Sequence, residues 1–170
     1  MLSKADRQHL TELNQQLMEI KLIVDFECYN VNKKYYFKEI SFLNMDNKLI
    51  ANFFIKTRNY KDSTTRWLIK NYHQIPCNYG DINYSFIKNN FFNNKFITFY
   101  VNGINKLQIL SKFTSNKIVD INNIYNIQNL ENPTNIINCQ FNNHQNNKHC
   151  AFFKVQKLGQ LCDFNKITSV

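Results

Sequence analysis

The spacing of apolar residues divides the chain into regions, and the first region has a helical period. Apolar side chains recur there at Leu10, Leu13, Leu17 and Ile20. Because these positions share one face of a helix, we predict an amphipathic helix over residues 3–20, with Ser3 able to cap its first turn. We expect the apolar stripe to pack on the rest of the chain, with a dimer or a protein partner as the alternative.

Stretches rich in β-branched and aromatic residues follow this helix. They predict three strands, over residues 21–31, 33–45 and 48–56. The second and third strands are joined through Met45, Asp46 and Asn47, which suit a tight turn. Since consecutive strands with such short links pair with one another, this region predicts an antiparallel meander.

The hydrophobic period switches after residue 60, where helical and strand-like stretches alternate. We predict helices over residues 62–73, 82–91, 104–113 and from 148 onward, and strands over residues 95–103 and 117–122. Asp62 or Ser63 can cap the first of these helices and Asp81 the second, whereas residues 122–147 are rich in Asn and irregular. The order predicts an α/β fold, with a mixed five-stranded sheet (an antiparallel meander, then parallel strands) and helices on both faces.

The length of 170 residues suits one domain, which we assign to residues 21–165 after the N-terminal helix of residues 1–20. No apolar run approaches the about 20 residues of a membrane-spanning helix, and the N-terminus lacks the apolar centre of a signal peptide. We therefore expect an intracellular protein, cytoplasmic or nuclear, without a membrane partner. Five cysteines in such a setting favour metal binding or burial over disulfides.

Two carboxylates on the first strand are the clearest chemical signal. Asp25 and Glu27 are two residues apart within "LIVDFECY", so both side chains leave the same face of the strand. Acids among apolar residues need a cation or a metal as partner, because their burial is otherwise costly. The sequence therefore favours a site at this strand, with a solvated strand face as the alternative.

At these acids the chain resembles the DEDDh family of 3′–5′ exonucleases, which have a ribonuclease-H-like fold. Asp25 and Glu27 match the first motif of that family, Asp-x-Glu. The stretch "VNGINKLQIL" is similar to the second motif through Asn102. The metal-binding Asp of the second motif is replaced by Lys106 in this chain.

The third motif of the family, His-x-Ala-x-x-Asp, shows a second replacement of the same kind. "HCAFFK" matches it at His149 and Ala151, and Lys154 stands at the position of the Asp. The resemblance implies that both lysines can pair with the acids of the first strand, where a two-metal mechanism would hold Mg²⁺. We therefore expect no catalytic magnesium. Two surface lysines in a chance alignment are the alternative.

The cysteines are similar to those of the Maelstrom domain, a ribonuclease-H-like module of the piRNA pathway with a Glu-Cys-His-Cys zinc site. That resemblance implies one structural zinc per chain, held by Glu27, Cys139, His144 and Cys150. Short insect and insect-virus proteins also look similar, through "RWLIKNYHQIP", "GDINY" and "HCA". The spacing departs from these relatives because Asn142 stands where their His would be. Buried thiols without metal are the alternative.

The net charge of +9 favours a polyanionic partner such as RNA. The 29 Asn residues also indicate an AT-rich coding bias that enriches lysine, which offers a second explanation for the charge. Five candidate RNA-binding cations lie near aromatic side chains: Lys33, Lys34, Arg58, Arg66 and Lys70. Asn102, in the second motif, is the sixth candidate. This interleaving suits single-stranded or small RNA. We expect Trp67 to lie in the core.

Three hypotheses for function follow from these patterns. The first is a catalytically degenerate exonuclease-like domain that binds RNA or a partner in small-RNA silencing. The second is an active RNA nuclease that uses Asp25, Glu27 and His149, with Asp120 from a strand end. The third is a protein-interaction module that acts through the N-terminal helix, without nucleic acid.

Overall fold

The computed structural model describes residues 3–124, 136–137, 139 and 149–168. The strands are β1 (Ile20–Val31), β2 (Lys34–Asn44), β3 (Ile50–Phe54), β4 (Ile97–Val101) and β5 (Ile118–Asp120). The helices are α1 (Lys4–Met18), α2 (Ser63–Asn71), α3 (Tyr84–Ile87), α4 (Ile104–Leu110) and α5 (Ala151–Thr168). A π-helical turn, Lys88–Phe92, extends α3, and a 3₁₀ turn, Ile121–Asn123, follows β5.

The strands form one mixed sheet in the order β3-β2-β1-β4-β5. β1 pairs with β2, and β2 with β3, in antiparallel orientation, whereas β1–β4 and β4–β5 are parallel. The predicted α/β class and the meander followed by parallel strands are therefore confirmed. The central strand is β1, which lies between the meander and the parallel half of the sheet.

Helices cover both faces of the sheet, as predicted. On one face, alternate residues of β1 such as Val24 and Phe26 share a buried cluster with Phe92 and Leu110 from the α3 and α4 side. On the other face, Ile23 packs in a second cluster with residues of α5. Burial of each large apolar side chain in these clusters contributes about 2 kcal/mol to folding.

Helix α5 approaches the sheet closely because it carries a glycine at the contact. A Cβ atom at Gly159 would lie 2.9 Å from the Cδ1 atom of Leu43 on β2. A larger residue at this position would therefore require the Leu43 side chain or the helix to shift. The close approach matters for function because the first turn of α5 reaches the buried acids of β1 and β2.

A β-bulge in β2 buries a lysine whose hydrogen bonds go to backbone carbonyl groups. Glu27 lies opposite Glu39 and Cys28 lies opposite Phe37, so Lys38 is the extra residue of the bulge. The Lys38 Nζ is fully buried and donates to the carbonyl oxygens of Ile55 at 2.9 Å, of Cys77 at 3.0 Å and of Tyr79. Burial lowers its pKa to about 8. This ammonium ties the segment after α2 to the edge of the sheet.

The N-terminal helix forms as predicted, but the first two leucines of its apolar stripe remain exposed. The Ser3 Oγ accepts from the Asp6 N–H at 3.1 Å, and the Asp6 carboxylate accepts from the Ser3 N–H at 3.0 Å, so the first turn has a reciprocal cap. Leu10 and Leu13 are 45% and 44% exposed. The expectation that this stripe packs on the domain is wrong for these two leucines.

Three further expectations are settled by local contacts. Asp62 caps α2, since its carboxylate accepts from the Thr65 N–H at 2.9 Å. The helix predicted over residues 82–91 begins at Tyr84, with Asn83 at the N-cap in place of Asp81. Trp67 is 55% exposed on α2, so its predicted place in the core is wrong. Most of the Asn-rich segment 122–147 lies outside the described residues.

Among the helices of the described ranges, none has the length and apolar character needed to cross a lipid bilayer.

Candidate functional site

Three acids share one buried face at the centre of the sheet. Glu27 on β1 and Glu39 on β2 are direct cross-strand partners, and Asp25 lies two residues before Glu27. The exposed fractions are 2% for Asp25, 3% for Glu27 and 0% for Glu39. Burial of carboxylates is costly unless polar or charged partners satisfy their oxygens. The partners of these acids therefore define the chemistry of this face.

Two lysines reach Asp25 and Glu27 from different helices, and we call these four residues the acid–lysine cluster. Lys154, in the first turn of α5, places its Nζ 2.7 Å from the Glu27 Oε1 and 3.5 Å from the Asp25 Oδ2. Lys106, on α4, places its Nζ 3.2 Å from the Asp25 Oδ1. It also donates to the carbonyl oxygen of Phe26. The prediction that both lysines pair with the acids of the first strand is confirmed.

The pKa values of Glu27 and Lys154 are both raised within the acid–lysine cluster. Burial raises the pKa of Glu27, although the nearby ammonium groups of Lys106 and Lys154 oppose that rise. Burial alone would lower the pKa of Lys154, but the carboxylates of Asp25 and Glu27 outweigh it and hold that pKa above its usual range. Lys154 therefore stays protonated. The ammonium groups take the position on the carboxylates that a divalent ion would need.

An aromatic row connects α2 to His149, just before the start of α5. The His149 ring stacks on Tyr72, with centroids 3.5 Å apart and planes inclined by 26°. The Tyr72 ring in turn lies 6.4 Å from the exposed ring of Trp67. His149 thus ends this row two residues before α5 begins.

Asp120 and Asn102 hold the turn that follows β4. The Asp120 Oδ1 accepts from the Gly103 N–H at 2.9 Å and from the Asn122 N–H at 3.1 Å. The Asn102 Oδ1 accepts from the Asn122 side chain at 3.0 Å. Gly103 has φ = +100°, which favours glycine. Both residues therefore have positioning roles in this turn, which precedes the helix that carries Lys106.

A second group of residues on the same face has ligand atoms suited to a metal ion. The ligand atoms of Glu39, Cys139 and Cys150 all lie within 4.8 Å of one another. The Cys139 Sγ is 3.5 Å from the Glu39 Oε2, and the Cys150 Sγ is 4.0 Å from it. We call this group the thiol–carboxylate cluster. Both thiols are buried, and neither forms a disulfide.

The acid of the predicted zinc site has to be revised. Glu39 accompanies Cys139 and Cys150, whereas the predicted ligand Glu27 binds Lys154. The predicted ligand His144 lies outside the described residues. A signal for Glu39 was present in the sequence, because "YYFKEISFL" places an acid inside an apolar strand, just as "LIVDFECY" does. What the sequence does not reveal is the bulge that aligns the two glutamates.

Hydrogen bonds hold the ligand atoms of the thiol–carboxylate cluster in place. The Ala151 N–H at the start of α5 donates to the Glu39 Oε1 at 2.7 Å. The Asn52 amide donates to the Glu39 Oε2 at 3.2 Å and to the Cys139 Sγ at 3.8 Å. A hydrogen bond to Cys139, burial and the charge of Glu39 raise the pKa of Cys150. Two thiols and a carboxylate are suitable zinc ligands, and zinc binding would release the thiol protons.

The cationic residues predicted for RNA binding all reach solvent. They are Lys33, Lys34, Arg58, Arg66 and Lys70. Lys33 and Lys34 lie at the turn between β1 and β2, where Asn32 and Lys33 have positive φ angles of 51° and 64°. Arg66 and Lys70 lie on α2 with the exposed Trp67. The cations therefore fall into two regions, one at the hairpin end and one along α2.

The fold and these clusters define an α/β protein with a mixed five-stranded sheet and two chemically different acidic centres on one face. No family model, curated protein or solved structure matches the chain. Its function is therefore inferred from the residues themselves.

Proposed function

We propose that this protein is a catalytically degenerate nuclease of the DEDDh and Maelstrom-like class, with a ribonuclease-H-like fold, that binds single-stranded or small RNA in the cytoplasm or nucleus without cleaving it. The observation that carries this proposal is the pairing of Lys106 and Lys154 with Asp25 and Glu27. The order of the strands supports it, since β4 and β5 join the antiparallel meander in parallel orientation.

The acid–lysine cluster accounts for the loss of hydrolysis. Two-metal hydrolysis requires carboxylates that hold two divalent ions and an activated water. Here the oxygens of Asp25 and Glu27 are engaged by ammonium groups at 2.7 Å and 3.2 Å. A lysine neutralises the acids as a metal would, but it cannot activate a water molecule for attack. The cluster thus preserves the fold of the site while removing its reaction.

The aromatic row supplies a surface for single-stranded RNA. The rings of Trp67, Tyr72 and His149 neighbour one another in this row. Arg66 and Lys70 lie on the same helix as Trp67 and are exposed. Bases can stack on such rings while the cations attract the phosphates, which is the usual physical basis of binding single strands.

The thiol–carboxylate cluster is proposed to hold one structural zinc ion. Glu39, Cys139 and Cys150 would be ligands, with His144 proposed as the fourth. Zinc would link β2 to the start of α5 and so fix the helix that carries Lys154. The role of this zinc would be in folding. The acid of the cluster, Glu39, is buried and is not part of the aromatic row that would bind RNA.

Filter binding of single-stranded RNA across a salt series tests the proposal. We expect wild-type binding that weakens steeply with salt, no cleavage with Mg²⁺ or Mn²⁺, and roughly tenfold weaker binding for Arg66→Ala/Lys70→Ala. The double variant Lys4→Ala/Arg7→Ala removes the same charge from α1 and should bind as wild type. RNA cleavage that Asp25→Asn abolishes would instead favour the active-nuclease hypothesis.

A second candidate function is protein interaction through α1. The observation that favours it is the exposure of Leu10, Leu13 and Met18, which are 45%, 44% and 59% exposed. Sedimentation of the wild type and of Leu10→Asp/Leu13→Asp separates the two functions. Self-association lost in the variant, together with no RNA binding by the wild type, would favour the interaction module.

A further inference from the structure

A pocket of about 270 Å³ lies beyond the acid–lysine cluster, at the hairpin end of β1 and β2. Its walls are largely aromatic and include Tyr36, Phe37, Tyr60, Tyr84 and Phe113. These side chains come from β2, from the segment after β3, from α3 and from the segment after α4. We call it the hairpin pocket.

The walls of the hairpin pocket are braced against one another. The Phe37 ring is 4.5 Å from Phe113 and lies nearly parallel to Tyr84, with an angle of 13° at 6.1 Å. The Tyr36 and Tyr60 rings lie 5.0 Å apart. Because these contacts fix the rings before a ligand enters, little side-chain entropy is lost on binding.

Cations surround the mouth of the hairpin pocket. Lys56 and Arg58 line it and are exposed, and the Lys112 Nζ lies 4.9 Å from the centroid of the nearby Tyr35 ring. None of the lining residues in the described part of the chain is acidic. The pocket thus combines flat apolar walls with a positive rim. That combination fits an aromatic ring joined to an anionic group.

The size of the pocket limits the ligand to one ring system. Pockets for drug-sized ligands span about 300–1,000 Å³, so the 270 Å³ of this pocket falls just below that range. A nucleobase joined to its phosphates satisfies the shape and the charge together. An apolar side chain of a protein partner would fill the walls but leave the cations at the rim without a counter-charge.

The position of the pocket relates it to the acid–lysine cluster. Tyr36 lies opposite Tyr29 in the β1–β2 pair, and Tyr29 is two residues beyond Glu27. At the rise of a strand this is a distance of roughly 7 Å along the sheet. The acids leave the opposite face of the sheet from Phe37, Tyr84 and Phe113, which pack with Val24 and Phe26, so the hairpin pocket is a separate site at this end of the sheet.

We propose that the hairpin pocket binds one unpaired base of RNA, with the flanking phosphates at Lys56 and Arg58. This inference rests on the proposed function and adds a base-binding site separate from the aromatic row on α2. Stacking of one base on aromatic side chains contributes about 1–3 kcal/mol. Removal of that base should therefore weaken binding by about 5- to 150-fold.

The test uses an RNA oligonucleotide in which each base in turn is removed, with affinity measured by fluorescence anisotropy. For the wild type we expect some positions to lose affinity when the base is removed. Tyr60→Leu keeps an apolar wall without the ring. In this variant, base removal at one of these positions should no longer weaken binding. Tyr60→Phe should behave as wild type, and Phe96→Ala serves as the control for an exposed aromatic residue elsewhere.

A second variant guards against a folding defect in Tyr60→Leu. Arg58→Ala changes an exposed rim residue and should weaken wild-type RNA binding about fivefold, with less salt dependence. If Tyr60→Leu and Arg58→Ala, both folded by circular dichroism, show the wild-type pattern at every position, the pocket assignment is overturned and the proposed function stands. If the wild type binds no RNA, both are overturned. Binding of free AMP or UMP without RNA binding would also overturn the inference, because the ligand would then be a soluble nucleotide.

Discussion

Glu27 and Glu39 face each other across two strands, yet their surroundings differ in kind. Glu27 binds the ammonium of Lys154, whereas Glu39 lies among a backbone N–H, an amide and two thiols. Identical side chains at neighbouring positions of one sheet thus serve an ion pair and a candidate metal centre. The difference teaches that the partners supplied by other elements, and not the strand that carries an acid, decide its chemistry.

The first turn of α5 supplies partners to both glutamates. Ala151 donates its N–H to Glu39, and Lys154, three residues later, places its ammonium on Glu27. Cys150 immediately precedes the helix. A shift of α5 would therefore disturb the acid–lysine cluster and the thiol–carboxylate cluster together. Gly159, further along the helix, allows its close approach to Leu43 on β2.

The largest effect is expected from loss of zinc. Cys139→Ser or Cys150→Ser should remove one zinc per chain and lower the free energy of unfolding by about 4 kcal/mol, the stabilisation given by a ligand at a thousand times its Kd. Elemental analysis by mass spectrometry and chemical denaturation measure the two effects. Cys77→Ser, at a buried thiol outside the cluster, and Glu27→Gln should retain zinc. Equal zinc content in all four variants would contradict the metal assignment.

The next largest effect concerns the ion pair at Glu27. Lys154→Met leaves two buried acids without this ammonium and should cost about 3 kcal/mol, as measured by urea denaturation. Lys154→Met/Glu27→Gln should recover part of that loss, because the buried charge is removed as well. A double variant as unstable as the sum of the single variants would show that Lys154 and Glu27 do not interact.

The same pair has a pH dependence with a defined sign. Burial raises the pKa of Glu27 in the folded protein above the unfolded value near 4.5. The folded state therefore binds the proton more tightly, and this stabilising contribution is present below the unfolded pKa and lost as pH rises through the folded pKa. Lys154→Met should enlarge the loss between acidic and neutral pH. The measurement is the difference in free energy of unfolding between Lys154→Met and wild type across about pH 4–7. A difference that does not change with pH would contradict this assignment.

Lys38 provides a lysine without an acid for comparison with Lys154. Lys38→Met removes the donor to three buried carbonyl groups and should cost about 2 kcal/mol. Because the folded pKa is lowered to about 8 from 10.5, the unfolded state binds more protons between these values. The stability of the wild type relative to Lys38→Met should therefore rise with pH in that window. A relative stability that falls with pH in this window would show that the folded protein favours the protonated form of Lys38.

The smallest effect is expected at an exposed ion pair. The Lys48 Nζ is 2.6 Å from the Asp163 Oδ1, but both side chains are nearly half exposed. Lys48→Ala should change the free energy of unfolding by about 0.5 kcal/mol or less, and by still less at high salt. A cost near that of Lys154→Met would mean that burial is not what distinguishes the acid–lysine cluster.

The sequence predicted the acid–lysine cluster more successfully than the metal centre, for a physical reason. Asp25 and Glu27 share a face because strands alternate, and Lys154 falls in the first turn of a helix that the resemblance aligned. Glu39 depends on the register between β1 and β2, which the bulge at Lys38 shifts. Register and bulges arise from contacts between strands, so the local sequence does not reveal them.

The elements were predictable, while the burial of individual side chains was less so. The strand order follows from short links and the change of period, and the five strands are present. Trp67 and Leu10 have apolar side chains, but no element among the described residues covers them enough for burial, and both are about half exposed. Hydrophobicity predicts that a side chain gains from burial, whereas tertiary packing decides whether a partner surface is there.

Manganese binding to the wild-type protein, measured by electron paramagnetic resonance, tests the central claim most directly. We expect no Mn²⁺ bound through Asp25 in the wild type, because Lys106 and Lys154 occupy the acids. The double variant Lys106→Asp/Lys154→Asp should gain Mn²⁺ binding that Asp25→Asn removes. Mn²⁺ bound by the wild type and lost in Asp25→Asn would contradict the claim that lysines have taken the place of the metal ions.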